Sequence, residues 1–234
     1  YTIVTHLIKR GRIQMILKTR NLKKEVLSGN QTLVILDDIN LELQEGKSLA
    51  IVGPSGSGKS TLLGLLAGLD KATSGEIFLN GNSLHDLDEE KRAKVRKDNV
   101  AFVFQSFELL PGLTALENVM LPSELKLSSN AKKIAEEYLE RVGLKDRLEH
   151  YPRQLSGGEQ QRVAIARAFA CEAKVLFADE PTGNLDPKTG GKVSNLLFEV
   201  NAETSNALVV VTHDPQLASK CDERIDLKEG KTIS

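Results

Sequence analysis

The segment GPSGSGKST, Gly53–Thr61, constrains this chain more than any other, because it stands between a continuous apolar run, Ser48–Val52, and a helix-period run, Leu62, Leu63, Leu65 and Leu66. A buried strand, a glycine-rich turn and a helix in that order form one βα unit. Among Gly53, Pro54, Ser55, Gly56, Ser57 and Gly58, the small residues let successive backbone NH groups curl around a polyphosphate. The following helix directs its positive end at the same anion. Lys59 adds a full charge near the β and γ phosphates, the Ser60 hydroxyl is placed to ligate Mg²⁺, and Thr61 ends the segment. A fortuitous glycine-rich turn would not need this flanking. The phosphate site by itself leaves the class of enzyme open.

The other apolar runs extend the unit into an α/β domain on a buried parallel sheet. Ile39–Leu43, Glu76–Leu79, Val100–Phe104, Val175–Ala178 and Ala207–Val211 read as strands, and Glu223–Ser234 as one more strand with a turn at Glu229 and Gly230. Asp88–Arg96 begins with acids and ends with bases, as a helix should. From Leu109 to Glu149 strand signals vanish, and the spacing of Ile134, Tyr138, Leu139 and Val142 predicts amphipathic helix, a candidate insertion in the sheet. Residues 1–14 read as an extension outside the fold, and 15–234 as one domain with its helical part near 106–158. With 31 basic and 32 acidic residues the net charge is −1, so no positive field favours nucleic acid. Cys171 and Cys221 form no metal or disulfide pattern and read as reduced thiols. No apolar run is long enough to span a bilayer, so a membrane role must be borrowed from a partner.

The class is carried by LSGGEQQR, Leu155–Arg162, which precedes VLFADEP by a helix's length. With it the chain resembles the ABC ATPase family, whose signature is LSGGQ or LSGGE. Ser156, Gly157, Gly158 and Glu159 open a helix and offer a second anion-binding surface on a chain with one nucleotide to hold. A helix cap with two glycines for packing is the plainer local reading. The resemblance implies a P-loop NTPase core sheet of the RecA-like kind, an antiparallel β subdomain and an inserted α-helical subdomain. It also implies a head-to-tail homodimer in which the signature of one subunit closes over ATP on the other.

The same resemblance implies roles residue by residue. Asp179 matches the Walker B aspartate that supports Mg²⁺, and Glu180 the catalytic glutamate that polarises the attacking water. Gln105 matches the glutamine that touches Mg²⁺ or that water, His213 the switch histidine on the γ phosphate, and Asp186 the D-loop aspartate at the dimer interface. Paired acids at a strand end are often merely solvated, but here they follow the signature. Val26 falls where the family carries an aromatic residue that stacks on adenine, which lowers the expected base selectivity. His6, His85 and His150 match no motif and read as surface residues.

Phe102–Pro122 and Leu176–Gly190 are most similar to the lipoprotein-release and macrolide-export ATPases (LolD-like and MacB-like) and the YbbA-type subunits. The implied protein is a cytoplasmic ATPase, peripheral on the inner face of the cell membrane, that powers a separate integral-membrane permease. In Phe107–Met120, the apolar Leu109, Leu110, Leu113 and Leu116 divide between helical core and a docking groove for that permease. An importer subunit is the nearest alternative, which the lack of a C-terminal regulatory extension leans against. A soluble ABC ATPase of DNA maintenance would need a long coiled-coil insertion between the phosphate loop and the signature.

Overall fold

The computed structural model describes residues 15–29 and 31–233, and the extension assigned to 1–14 lies outside them. In chain order the elements are β1 (Met15–Ser28), β2 (Gln31–Gln44), β3 (Ser48–Val52), α1 (Lys59–Leu66), β4 (Ser74–Leu79), β5 (Asn82–Ser83), α2 (Glu89–Asn99) and β6 (Val100–Phe104). There follow α3 (Ala115–Leu125), α4 (Ala131–Arg141), α5 (Gly157–Ala170), β7 (Val175–Asp179), α6 (Pro187–Thr204), β8 (Ala207–Thr212), α7 (Pro215–Ala218), β9 (Glu223–Lys228) and β10 (Lys231–Ile233). They build a sheet ordered β10-β9-β3-β8-β7-β6, parallel except for its β10 edge, and an antiparallel sheet ordered β2-β1-β4-β5.

The strands of the larger sheet are apolar at successive positions because both faces are covered. Val175, Phe177, Val209 and Val211 enter a core shared with α1 and the antiparallel sheet, while Leu176, Ala178, Leu208 and Val210 enter a second core with α3, α4, α5 and α6. The period of two thus assigns alternate residues to different cores. Helix α1 is wedged between the two sheets, with Leu62, Leu63, Leu65 and Leu66 all buried. Each buried leucine contributes about 1.5–3 kcal/mol. The helix stops in a Schellman closure: Gly68 adopts φ +72°, its N–H donates to Leu65 O, and Leu69 N–H donates to Gly64 O.

Two expectations need revision. Strands β1 and β2 are far longer than the Ile39–Leu43 segment anticipated. Their pairing carries several register shifts, and Asn21 and Asp38 take positive φ, bound to each other and to Asn40. Such bulges break the alternation on which strand recognition depends. The C-terminal segment is a β9–β10 hairpin rather than one strand, turning through Glu229 (φ 49°) and Gly230 (φ 75°) as a type I′ turn does.

The stretch 106–158 holds α3 and α4, and α3, α4 and α5 pack on one another. Within it Leu116 is buried, Leu109 and Leu113 are half-buried and Leu110 is exposed. Thr114 and Glu117 cap α3 reciprocally, and Ser156 and Glu159 do the same for α5. Among the described residues no helix is long and apolar enough to cross a membrane. Both cysteines are free thiols that burial pushes up, Cys171 to about 11 and Cys221 to about 12.

Two carboxylates tie the fold to pH. Hydrogen bonds from the Ser156 hydroxyl and N–H, then Arg147, hold Glu159 at about 2 against an ordinary 4.5. The Ser48 hydroxyl, Lys47 and the Ser48 N–H hold Asp222 at about 2 as well, fastening the start of β3 to the entry of β9. Because both values are lowered in the folded state, their stabilisation is complete above the ordinary carboxylate range and is lost as pH falls from about 4.5 to about 2. Glu159→Gln keeps an acceptor for the cap but removes the titrating charge. In urea unfolding the wild type should exceed this variant by about 1–2 kcal/mol at pH 7, after discounting for solvent screening, and the gap should shrink by about half at pH 3 and vanish only below about pH 2. A gap that does not change with pH would contradict the assignment.

Candidate functional site: a phosphate cleft with a separate anion-binding helix end

The loop between β3 and α1 can take its course only with glycine at its tightest points. Gly56 and Gly58 have φ +78° and +100°. A Cβ on Gly58 would also lie 3.0 Å from Ile35 O and 2.9 Å from Leu36 Cδ2, and one on Gly53 would collide with Leu227 O. The β9–β10 hairpin therefore backs the loop, and Gly230 N–H donates to Ser57 O at 3.2 Å. Sequence reasoning missed this buttress, because nothing in the hairpin's composition marks contact with residues so far upstream. Lys59, though 8 % exposed, is satisfied by the carbonyls of Gly53 and Pro54, both at 2.9 Å, which hold its ammonium over the loop. The Ser57 hydroxyl is buried with no hydrogen-bond partner among the described residues.

Beside the loop lies a cleft of about 760 Å³ lined by Ser55, Gly56, Gly58, Lys59, Ser60, Thr61, Gln105, Glu180 and His213, with apolar walls from Ile35 and Val211. The strands converge their C-terminal ends on it, as open parallel sheets do. β7 ends at Asp179, and Glu180 then takes φ +45°, an unfavourable conformation for a non-glycine residue, held by its N–H to Val211 O at 2.9 Å. That turn presents the Glu180 carboxylate to Nδ1 of His213 at 2.9 Å and to the Thr212 hydroxyl at 3.5 Å. The imidazole is 73 % exposed and the carboxylate 18 %, so the cleft side of the histidine stays open. Burial raises Asp179 above the usual carboxylate range; the Ser60 hydroxyl opposes this, the neighbouring Glu180 charge adds to it and Lys59 counters it.

Gln105 leaves the end of β6 and donates from Nε2 to Asn184 Oδ1 at 3.0 Å. The chain beyond it is contorted: Phe107 and Glu108 take positive φ, and Arg167 of α5 donates to both their carbonyls. Arg167 was not anticipated; it follows the signature by less than two helical turns on a face the motif does not describe. Val26 pairs with Leu33 toward the hairpin tip, 38 % exposed, and is not among the residues lining the cleft; Ile35 on the neighbouring strand is.

The signature lies outside the cleft. Ser156 caps α5, its hydroxyl donating to Glu159 and its oxygen receiving Glu159 N–H. The two glycines pack against the segment after Glu180: a Cβ on Gly157 would sit 3.5 Å from Leu185 Cδ2, and one on Gly158 2.5 Å from Thr189 Cγ2. Asp186 caps α6 through the N–H groups of Lys188 and Thr189 and lines a neighbouring depression of about 500 Å³ with Glu180 and His213. The cap reading and the anion-surface reading of Ser156–Glu159 are therefore compatible, with the helix's N-terminal end outside the cleft that the phosphate loop lines.

Residues 36–183 match the ABC transporter family. The chain is 54% identical over 218 residues to the uncharacterized ABC transporter ATP-binding protein YbbA of Escherichia coli K12, covering 92% of this chain and 96% of that one. It is 49% identical over 220 residues to the lipoprotein-releasing system ATP-binding protein LolD of Legionella pneumophila strain Lens, covering 92% and 96%. Its fold superposes with TM-score 0.85 on the dimeric, post-hydrolysis ATP-binding cassette MJ0796 bound to ADP and Pi, at 43% identity, covering 93% of this chain and 97% of that one. The two sheets and the helical part are thus those of the ABC ATPase cassette, and the chain belongs to the ABC transporter family as one of its ATP-binding subunits.

Proposed function

We propose that this subunit hydrolyses ATP in a homodimer whose two sites each join the phosphate loop of one copy to the signature of the other, and that the cycle drives a separate membrane permease. The observation that carries the reading is the separation just described. One chain has a complete phosphate-binding cleft and, outside it, a second helix N-terminus with an exposed serine and two glycines. The dimeric state of the cassette MJ0796 supports a pairing of copies. The relatedness to LolD supports work on lipoprotein or lipid extraction, an export function on the inner face of the cell membrane. Leu110, exposed beyond Gln105, supports a docking face for the permease on the helical side.

The residues suit Mg²⁺. Among the described residues no cluster of three or more His, Cys, Asp or Glu exists, which disfavours an all-protein cage. A half-buried carboxylate with a hydroxyl beside it is the donor set Mg²⁺ takes when phosphate oxygens and water complete its shell. Asp179, Ser60 and the Gln105 amide oxygen would hold it, and bound there it would draw charge from the β and γ phosphates.

Within this reading the loop N–H groups and Lys59 hold the triphosphate, and Asp186 stations its loop at the interface. Glu180 accepts a proton from the attacking water, whose oxygen bonds to the γ phosphorus as the bond to the β-phosphate oxygen breaks, giving ADP and phosphate. His213 orients Glu180 through Nδ1, and a second donation from Nε2 to the γ phosphate requires the imidazolium form, which carries a proton on each ring nitrogen. Ser156, Gly157 and Gly158 of the other copy meet the same phosphate from the opposite side.

Glu180→Gln should keep ATP binding, lower turnover by about 10²–10⁴-fold and accumulate as an ATP-bound dimer on gel filtration. Wild-type turnover in that variant would remove Glu180 from its role. Val26→Tyr supplies the missing aromatic face and should raise the steady-state preference for ATP over GTP; an unchanged preference would show that the base does not reach this strand.

A further inference from the structure

We infer that Asn184 is a positioning residue that sets which end of the Gln105 side chain faces the phosphate cleft. A glutamine amide has a donor end and an acceptor end of nearly the same shape, and only the oxygen end can ligate a hard cation. Asn184 meets Gln105 in a reciprocal clasp: Gln105 Nε2 donates to Asn184 Oδ1 at 3.0 Å, and Asn184 Nδ2 donates to the Gln105 main-chain carbonyl at 2.9 Å. Since the Asn184 amide is committed as a donor to a carbonyl, its oxygen is the atom left to receive Gln105. That selects Nε2 for the clasp and leaves Oε1 with no partner among the described residues, on a side chain that lines the cleft.

The bed under this clasp is cut to size. A Cβ on Gly183 would come 2.8 Å from Gln105 Nε2 and 3.1 Å from its Cδ, so glycine is required for the side chain to lie across the loop. Gly183 N–H in turn donates to Glu180 O at 3.0 Å, and Leu185, next to Asn184, packs against Gly157 of the signature. Asn184 thus links the carbonyl oxygen offered to the cleft with the backbone that carries Glu180.

This inference rests on the proposed function, since it concerns Mg²⁺-dependent nucleotide binding at the same cleft. The test measures binding of a fluorescent ATP analogue to the Glu180→Gln chain, with and without Mg²⁺, for Asn184→Ala, Gln105→Ala and both together. Asn184→Ala should raise the Mg²⁺ concentration for half-maximal binding by about 3- to 10-fold, the range expected from one or two exposed hydrogen bonds, and leave Mg²⁺-free affinity unchanged. Gln105→Ala should have a similar effect, and the double variant should be no worse than Gln105→Ala alone. An unchanged Mg²⁺ dependence in Asn184→Ala, an equal loss of Mg²⁺-free affinity or additive effects would each overturn the positioning role while leaving the nucleotide site intact. Failure of the Glu180→Gln parent to bind the analogue under any condition would instead overturn the proposed function itself.

Discussion

Burial of α1 between two sheets is the constraint from which the rest of the site follows. Leu62, Leu63, Leu65 and Leu66 anchor the helix in the core shared by both sheets, so the polar end, Lys59 to Thr61, has only one place to emerge. The strand before it is pinned by its neighbours and by the Ser48–Asp222 bonds. With both ends fixed, the intervening loop is forced tight, and positive φ at Gly56 and Gly58 is the result. A loop fixed in this way does not have to be ordered by a ligand, which lowers the entropic cost of binding there.

Around that fixed loop, several residues at and near the cleft are mounted on less favourable backbone. Glu180, Phe107 and Glu108 all take positive φ, and each is held by an identifiable contact: Val211 O for the first, Arg167 for the other two. Conformations of this kind persist only where surrounding structure over-determines them. The segment from Asp179 to Asp186 touches the cleft through Glu180, Gln105 through Asn184 and the signature through Leu185. One short stretch of chain thereby joins the cleft to the signature helix.

Much of this was legible in the residues, for a physical reason in each case. A phosphate loop needs small residues in fixed order between a strand and a helix, so Gly53–Thr61 could be read directly, and alternating or continuous apolar runs marked β3, β6, β7 and β8. The acid-to-base drift of Asp88–Arg96 marked α2, for which the structure makes Asp88 the cap. What escaped notice depends on contacts distant in sequence. The bulges at Asn21 and Asp38 hid most of β1 and β2, the β9–β10 hairpin behind the loop and the Arg167 clamp have no local pattern, and the clasp between Gln105 and Asn184 joins residues of two separate motifs.

The central claim is that each phosphate loop works with the signature of the other copy, and mixed dimers test it by arithmetic. Gly157→Asp is the suitable lesion, because a Cβ there meets only ordinary contacts with Leu185 and Phe107, whereas the new charge opposes an anion. In a Glu180→Gln background, dimers carrying Lys59→Ala on one copy and Gly157→Asp on the other should retain one ATP per dimer after gel filtration, since one loop and its opposite signature remain intact. Dimers carrying both changes on the same copy should retain none. Equal retention by the two arrangements would contradict the account.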